Sequence, residues 1–171
     1  MKKQLLLILL FMLPVVTYAQ GVQLKFGYFS LNTLVKALPD YEIAKKNLAD
    51  LRVKYDAEAK RSEDEFNKKY EEFLDGQRDF APSILQKRQA ELQDMMEKNI
   101  AFKKEAQRLL AQAEQDAMQP IKNKVLNTVQ QLGKERNYIL VVNVDNDAVP
   151  FINTLYGDNL NDTVMAVLVK Q

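Results

Sequence analysis

The chain has 171 residues, of which 47% are hydrophobic and 27% are charged, and its formal net charge is +1. It contains neither histidine nor cysteine. This composition excludes Ser-His-Asp and Cys-His catalysis, the usual zinc sites and any disulfide bond. A charge so close to zero gives no argument for nucleic-acid binding and no support for attraction to a membrane surface.

The first 19 residues have the pattern of a secretory signal peptide. Residues 1–3 are basic at two positions, residues 5–16 are an almost unbroken apolar run, and small residues follow at Thr17 and Ala19. The run is too short to span a bilayer well, which disfavours the alternative of a retained anchor. Cleavage after residue 19 leaves 22 basic residues against 23 acidic ones, in a protein that acts outside the cytoplasm.

The part that follows the signal peptide is predicted to fold into short elements. Residues 24–30 alternate and are rich in aromatics, which predicts a strand. Asn32 or Thr33 is the predicted cap of a short helix that Pro39 ends. Asp40 is the predicted N-cap of the next helix.

Residues 42–117 are predicted to form a long helical hairpin. Gly76 and Pro82 bracket one break at residues 75–82, the tip, and long runs rich in Ala, Glu, Lys and Gln lie on either side. These residue types favour helices. Residues 40–119 hold 15 basic and 18 acidic side chains in mixed order, which is typical of solvated helix faces with i,i+4 ion pairs.

The two arms of the hairpin have different apolar repeats. In the first arm the stripe returns in phase every 11 residues, and it comprises Ala44, Leu48, Leu51, Tyr55, Ala59, Ser62, Phe66, Tyr70 and Phe73. In the return arm a heptad runs through Leu85, Leu92, Asn99, Ala106 and Ala113, interleaved with Met95, Phe102 and Leu109. The mismatch of period, with the small and polar members, predicts a loosely held hairpin that bends and splays.

Beyond Pro120, which begins a helix or kinks a continuing one, the chain returns to short elements. Asn137 is the predicted left-handed residue that ends this helix. The remaining predictions are a strand at residues 138–144, a turn at 145–147, a strand at 148–152 with Pro150 at a sheet edge, an extended stretch at 154–156, a turn at 157–158 and a final helix capped by Asn161.

Residues 20–41 and 118–171 are therefore expected to form a small β-sheet body that helices cover. The predicted fold class is α+β, with a long projecting antiparallel helical hairpin. A sheet this small would be marginal alone without disulfides, so we expect oligomerisation to stabilise it.

The sequence contains few candidates for a catalytic or metal-binding site. Asn143, Asp145 and Asp147 alternate like the ligands of a calcium loop, but Ala148 and Thr154 stand where such a loop needs glycine and glutamate. We interpret them as a turn. The glycines are scattered and form no phosphate-binding loop. We therefore expect a binding protein and no enzyme, with neither a metal nor a cofactor.

Aromatic and methionine side chains of the hairpin are the candidate binding residues. They are Phe66, Tyr70, Phe73, Phe80, Met95, Met96 and Phe102. In one interpretation they pack in the seam between the two helices. In the other, part of this apolar surface faces a cavity and grips an unfolded chain, for which flexible methionines are well suited.

The order of these features resembles the Skp/OmpH family of periplasmic chaperones. The residues that carry the resemblance are Phe26-Gly27-Tyr28-Phe29-Ser30 in the first strand, Tyr138-Ile139-Leu140-Val141-Val142-Asn143 before the turn, and Asn159-Leu160-Asn161-Asp162-Thr163-Val164 near the end. The resemblance covers essentially the whole mature chain. Well-known members are markedly basic, whereas this chain is near neutral, so no lipopolysaccharide-binding residues are carried over.

The resemblance implies a homotrimer in the periplasm, with three hairpins around a cavity. It also implies ATP-independent holding of unfolded outer-membrane β-barrel proteins. The residues expected in the trimeric body are Phe26, Tyr28, Ile139, Val141, Val149 and Phe151. An alternative from another class is a structural coiled-coil adaptor or spacer in the cell envelope.

Overall fold

The computed structural model describes residues 25–170 of the chain. Over this range the elements are, in chain order, β1 Phe26–Phe29, α1 Leu31–Ala37, α2 Pro39–Gly76, α3 Pro82–Glu135, β2 Val141–Asn143, a 3-10 turn Asp145–Asp147, β3 Gly157–Asn159 and α4 Asn161–Leu168. The predicted signal peptide lies outside the described residues. None of the helices described is both long and apolar enough to cross a bilayer.

The three strands form one parallel sheet in the order β2-β1-β3. Tyr28 in the central strand lies opposite Val142 on one side and Asn159 on the other. Parallel neighbours cannot be joined by a tight turn. The connection from β1 to β2 contains the entire hairpin, and residues 144–156 connect β2 to β3. The sheet therefore brings the two ends of the described chain together, and the hairpin projects from between them.

The hydrophobic core lies on one face of this sheet. In β1 the buried residues are Gly27 and Phe29, which alternate with the half-buried Phe26 and Tyr28. The core side chains come from every helix of the body and are Phe29, Leu34, Val35, Leu38, Ile121, Val125, Val129, Leu132, Leu160, Val164 and Leu168. This one cluster ties α1, the second half of α3 and α4 to the sheet, as the sequence predicts for helices that cover a small sheet.

Pro39 begins the first long helix and does not end the short one. Leu38 separates the two helices as an extended residue, with φ −81° and ψ 138°, and Pro39 occupies the first position of α2. Proline suits that position because its missing N–H would have no partner in the first turn. The prediction that Asp40 caps α2 is therefore wrong. Asp40 lies in the first turn, where the helix dipole stabilises its negative charge.

The cap of α1 is Ser30, so the prediction of Asn32 or Thr33 is also wrong. The Ser30 hydroxyl accepts a hydrogen bond of 3.1 Å from the amide of Thr33. At the far end of the chain, Leu160 precedes α4 as its N-cap, and Asn161 is the first helical residue. Asn161 was predicted as that cap. Its side-chain oxygen instead accepts a 3.0 Å hydrogen bond from the Ser30 amide, which joins α4 to the end of β1.

Downstream of the hairpin, α3 continues through Pro120 to Glu135, so proline lies inside one helix. Asn137 has φ 54°, which confirms the predicted left-handed residue just after that helix. The strand predicted at 138–144 is shorter, and its ladder covers Val141–Asn143. The predicted turn at 145–147 is confirmed, with Asn146 and Asp147 both at positive φ.

The strand predicted at residues 148–152 is wrong, and so is the turn predicted at 157–158. Residues 148–152 are irregular, and the turn comes earlier, where the amides of Tyr156 and Gly157 donate to the Asn153 carbonyl. Gly157 itself begins β3. The Phe26 ring lies so close to Gly157 that an added Cβ would approach it to 2.5 Å, which explains why glycine occupies this point of the sheet.

A set of polar side chains, here called the strand-end network, joins the carboxyl ends of the three strands. Its members are Ser30, Asn143, Asp145 and Asn161. The Asp145 carboxylate accepts hydrogen bonds of 2.6 Å from the Ser30 hydroxyl and 2.9 Å from the Asn32 amide. The Asn143 side-chain oxygen accepts a bond of 3.2 Å from the Leu31 amide. The first amides of α1 are thus satisfied by oxygens from the far end of the chain.

The pKa of the Asp145 carboxyl group is lower than its ordinary value. Burial raises the pKa of this carboxyl, but the hydrogen bonds from Ser30 and from the Asn32 amide favour the charged form, so that the net pKa is lowered. A lowered pKa in the folded state stabilises the fold above the pKa of the unfolded chain, and this contribution disappears as the pH falls through the folded-state pKa. The strand-end network should therefore weaken in acid.

Replacing Asp145 by Asn should lower the free energy of unfolding at neutral pH by about 1–3 kcal/mol, because the amide nitrogen cannot accept one of the two bonds. The difference from the wild type should shrink as the pH is lowered toward about 3, since the wild-type carboxylate is itself being protonated. Urea unfolding followed by circular dichroism at several pH values measures this. Asp147→Asn, in the same turn and exposed, is the matched control. Equal losses in both variants would contradict the prediction.

Candidate functional site

The hairpin of α2 and α3 is the candidate functional element. α2 has 38 residues and α3 has 54, so the first arm is about 57 Å long at 1.5 Å per residue. The lower part of α3 belongs to the core of the body, and the remainder runs antiparallel to α2. Over residues 39–119, the part that projects, Ala106 is the one side chain that is fully buried.

The two predicted stripes do face each other. In α2 every member of the 11-residue stripe is half-buried except Tyr70, which is 45% exposed. In α3 the heptad members are half-buried, apart from the buried Ala106. The rings of Tyr55 and Phe102 pack with their centroids 6.2 Å apart, which fixes the register at that level. The different periods of the two arms therefore do not prevent a continuous seam.

A polar layer interrupts the seam near its middle. The side-chain amide of Asn99 donates a 3.2 Å hydrogen bond to the Ser62 carbonyl of the opposite helix. Beside it, the Lys103 ammonium lies 3.1 Å from the Glu63 carboxylate, a pair that is largely exposed. A single polar seam residue of this kind fixes register and reduces stability. The layer thus aligns the arms without holding them tightly.

Most of the ion pairs of the hairpin lie within one helix, as the sequence predicts. Arg61 bonds to both Glu58 and Glu65 on its own helix, and Lys60 lies 2.9 Å from Asp64. The hydrogen bond from Arg61 holds the pKa of Glu58 below its ordinary value. Both partners of each of these pairs lie on the same helix and are exposed to solvent. The pairs therefore keep the surface hydrophilic and contribute little to holding the two arms together.

The tip is closed by aromatic packing around a glycine. Phe80 lies against Gly76, where an added Cβ would come within 2.6 Å of the ring, and its centroid is 6.3 Å from that of Phe73. A small pocket of about 120 Å³ lies beside these rings. Phe73 and Phe80 thus pack mainly on the hairpin itself, and the pocket is too small for more than one side chain.

The seven candidate binding residues therefore divide into two groups. Five of them are half-buried in the seam or at the tip, namely Phe66, Phe73, Phe80, Met95 and Phe102. Tyr70 and Met96 are exposed, at 45% and 47%. Sequence reasoning missed other exposed apolar residues, of which Ile100 is 62% exposed and Leu74 is also exposed. The sequence does distinguish these residues, because they are apolar residues that belong to neither stripe.

Four of these exposed residues lie on one side of the hairpin, here called the apolar flank: Tyr70, Leu74, Met96 and Ile100. The Lys103–Glu63 ion pair marks this side. On α2, Tyr70 and Leu74 follow Glu63 by seven and eleven residues, so they lie close to the face of the helix that carries Glu63. On α3, Met96 and Ile100 precede Lys103 by seven and three residues, so they lie close to the face that carries Lys103. The flank is a strip of apolar side chains on an otherwise charged surface.

The residues expected in the trimeric body fall on different parts of the sheet. Phe26 and Tyr28 lie on the face opposite the core, and Val141 packs against the core. Ile139 and Phe151 are exposed, Phe151 at 78%, whereas Val149 is half-buried. Val142, which pairs with Tyr28, shares the open face and was not among the predicted residues.

Residues 25–170 contain no group of three or more histidine, cysteine, aspartate or glutamate residues that could hold a metal. The oxygens of Asn143 and Asp145, which alternate as in a calcium loop, accept bonds from Ser30 and from the amides of α1. They are occupied as parts of the strand-end network.

This architecture, a small parallel sheet from which two long helices project, defines a helical-hairpin protein with an α+β body. The family model described as outer membrane protein (OmpH-like) matches residues 25–168. The chain therefore belongs to the OmpH-like family. Among curated protein sequences, none matches this chain.

The fold is also that of a solved structure. The chain is similar to a candidate outer membrane chaperone (OmpH-like) from Caulobacter crescentus CB15, with a TM-score of 0.68 at 17% sequence identity. The match covers 84% of this chain and 83% of the other. At that level of identity the likeness concerns the fold, which is shared over nearly the whole described range.

We expect substitutions at two residues of the seam to change the free energy of unfolding in opposite directions. Asn99→Leu should raise the free energy of unfolding by about 1 kcal/mol, because it replaces a half-buried polar group with an apolar one. Ala106→Leu should lower it by about 1–3 kcal/mol, because Ala106 is only 7% exposed and leaves no room for a larger side chain. Chemical unfolding of both variants, with the exposed Ala111→Leu as control, tests this. Stabilisation by Ala106→Leu would show that the arms are not in contact there.

Proposed function

We propose that the protein is an ATP-independent periplasmic holdase that binds unfolded outer-membrane proteins and prevents their aggregation. Membership of the OmpH-like family supports a chaperone role. The observation that carries the proposal is the apolar flank, a strip of exposed apolar side chains on a long hairpin with a charged, solvated surface. An unfolded chain offers apolar segments and extended backbone, and such a strip can contact them without a fitted pocket.

We propose different roles for the body and the arm, because the two parts differ in how fully their apolar side chains are buried. Of the described chain, we assign residues 25–41 and 118–170 to the body and residues 42–117 to the arm that contacts the client. The core is buried in the body, whereas the seam of the arm is only half-buried. An arm of this kind adapts to clients of different size at little cost in packing energy. Release then needs no nucleotide, because many weak contacts dissociate separately when a better partner appears.

We propose that the body assembles as a homotrimer. Parallel sheets are normally covered on both faces, but here Phe26, Tyr28 and Val142 lie on a face that receives none of the core helices described. Among residues 25–170, no strand pairs with the outer edge of β2 or of β3. The segment before β3 exposes Phe151 at 78% and Leu155 at 86%. Open strand edges beside exposed aromatics favour pairing with further copies of the chain.

The proposed cavity lies between the hairpins of such an assembly, with the apolar flank turned inward. A signal peptide at residues 1–19 would place the protein in the periplasm, where a trimer with three arms encloses a client before it reaches the outer membrane. The satisfied ion pairs on the other faces of each arm keep the exterior hydrophilic. The mixed signs of the charges on the hairpin leave little net charge for electrostatic capture of a client.

Removing the apolar flank should impair holding without unfolding the hairpin. The triple variant Tyr70→Ser, Met96→Ser, Ile100→Ser should need about a tenfold higher concentration to suppress aggregation, which corresponds to a loss of about 1.4 kcal/mol of binding. Light scattering of a denatured β-barrel outer-membrane protein after dilution measures this. The double variant Ile43→Ser, Val53→Ser removes exposed apolar residues elsewhere on α2 and is the control.

The outcomes of this experiment distinguish between the flank, another binding surface and the absence of holding activity. Equal loss of protection in the flank variant and in the control would contradict the assignment of the flank. If the wild-type protein itself leaves aggregation unchanged, the holdase proposal fails and the envelope spacer is the better account. A flank variant that protects as well as the wild type would place the client elsewhere on the assembly.

Assembly can be tested separately from holding. Sedimentation equilibrium of the mature protein should give three times the mass of one chain, and Phe151→Asp should shift the protein toward monomers because it puts a charge in an apolar contact. Val53→Asp adds the same charge at an exposed apolar position of the hairpin and should leave the trimer intact. A single-chain mass for the wild type, or dissociation by both variants, would overturn the proposed interface.

A further inference from the structure

The sulfur atoms of this chain all belong to methionine, because it contains six methionines and no cysteine. Four of the methionines lie in the described range, namely Met95, Met96, Met118 and Met165. Met118 and Met165 pack against the core of the body, and Met95 is half-buried in the seam. Met96 is 47% exposed and is the one exposed methionine among residues 25–170. An oxidant dissolved in the surrounding water therefore reaches Met96 most easily.

Met96 belongs to the apolar flank, whereas the preceding residue, Met95, faces the seam. Consecutive residues of an α-helix are rotated by about 100° about its axis, so the two side chains point to different sides of α3. The hydrogen bond from Asn99 to Ser62 sets the register, and one turn closer to the tip Met95 and Phe66 stand at the same level. Both are half-buried. A change at the Met96 sulfur therefore alters the flank and leaves the seam in place.

The reaction that suits this sulfur is two-electron oxidation by a peroxide. A lone pair of the thioether sulfur attacks one oxygen of hydrogen peroxide, so that an S–O bond forms and the O–O bond breaks. The leaving hydroxide takes up the proton of the transferred oxygen and departs as water. The sulfur loses two electrons and the peroxide gains them. The product, methionine sulfoxide, is polar and carries a hydrogen-bond acceptor where the thioether was apolar.

From these observations we infer that Met96 is a site of reversible oxidation by peroxides, through which the apolar flank loses affinity for a client. The register places Met96 between Ile100 and Tyr70 along the arm, so a sulfoxide there divides the apolar strip into two shorter pieces. The sulfoxide oxygen must also be desolvated before an apolar segment can occupy the same place. The oxidation itself follows from the exposure of Met96, whereas its effect on a client rests on the proposed function.

The oxidation can be undone, which makes the site a switch. A methionine sulfoxide reductase removes the sulfoxide oxygen as water, with two thiols as the electron source, and so restores the thioether. The thiols become a disulfide of the reductase or of its reductant, since this chain has no cysteine. The flank thus has an apolar form and an oxidised form that interconvert without unfolding of the hairpin.

The preference for Met96 is tested by peptide mass spectrometry of the mature protein after treatment with dilute hydrogen peroxide. Sulfoxide should form at Met96 about tenfold faster than at Met118, because susceptibility follows exposure. Fragment ions distinguish Met96 from the adjacent Met95. Equal rates at the four methionines of residues 25–170, or a faster rate at any of the other three, would overturn the assignment of the site.

The effect on holding is tested by light scattering of a denatured β-barrel outer-membrane protein, with the peroxide destroyed by catalase before the client is added. The oxidised wild type should need about a threefold higher concentration than the untreated wild type to suppress aggregation. Met96→Leu should show no such change between its own treated and untreated samples, because leucine has no sulfur to oxidise. Met118→Leu removes a methionine that packs against the core and is the matched control, which should respond as the wild type does.

Treatment of the oxidised wild type with a methionine sulfoxide reductase and dithiothreitol should restore its protection of the client. A threefold change in Met96→Leu, no change in the wild type, or no recovery after reduction would overturn the inference. In each of these cases the untreated wild type still holds the client, so the holdase proposal stands. An untreated wild type that leaves aggregation unchanged contradicts the proposed function, and the effect of oxidation on a client fails with it.

Discussion

Two helices that pack only on each other can each bury one stripe, and this constraint governs the molecule. No third element of the described chain closes over the seam of the hairpin, so its aromatic and aliphatic members stay half-exposed. The apolar area withdrawn from water per residue is correspondingly smaller than in the body. The arm must therefore obtain its helical character from residue propensity and local ion pairs, which explains its wealth of Ala, Glu, Lys and Gln.

The same constraint explains why full burial is concentrated in the body while the long arm is only half-buried. Full burial is concentrated in α1, the second half of α3, α4 and β1, and the strand-end network joins these elements through side chains far apart in sequence. A rigid base is needed because the arm contributes little stability of its own. The polar layer at Asn99 keeps the two helices of the arm in one register, while the half-buried seam gives the arm less packing energy than the body has.

Much of this architecture could be predicted from the sequence, because the periodic parts are determined locally. The 11-residue stripe of α2 identifies the inward side chains correctly, with Tyr70 as the exception, and Gly76 and Pro82 locate the tip. Several of the errors involve partners far away in the chain, whereas the wrong cap at Asp40 has a local cause in the neighbouring Pro39. Ser30 caps α1 because Asp145 and Asn143 take up the neighbouring amides, and β3 begins at Gly157 because Phe26 lies over it. No local pattern contains that information.

The candidate binding residues show the limit of periodicity for a related reason. Periodicity selects the residues that face another helix, and four of the seven candidates, Phe66, Phe73, Met95 and Phe102, are half-buried members of the two stripes. Exposed apolar residues that break the period, such as Ile100 and Leu74, carry no periodic signal, so the stripes alone cannot select them.

Under the proposed function, a surface of this composition also limits what kind of client the hairpin could hold. Its charges are mixed in sign, with 15 basic and 18 acidic side chains over residues 40–119, so long-range attraction to a charged partner is weak and is screened further by salt. Selectivity therefore has to come from short-range contact with apolar side chains that folded proteins conceal. On the proposed function, a client that buries those side chains by folding would withdraw what the flank binds. The affinity of the hairpin for it would then fall as it folds, and no separate signal for release would be required.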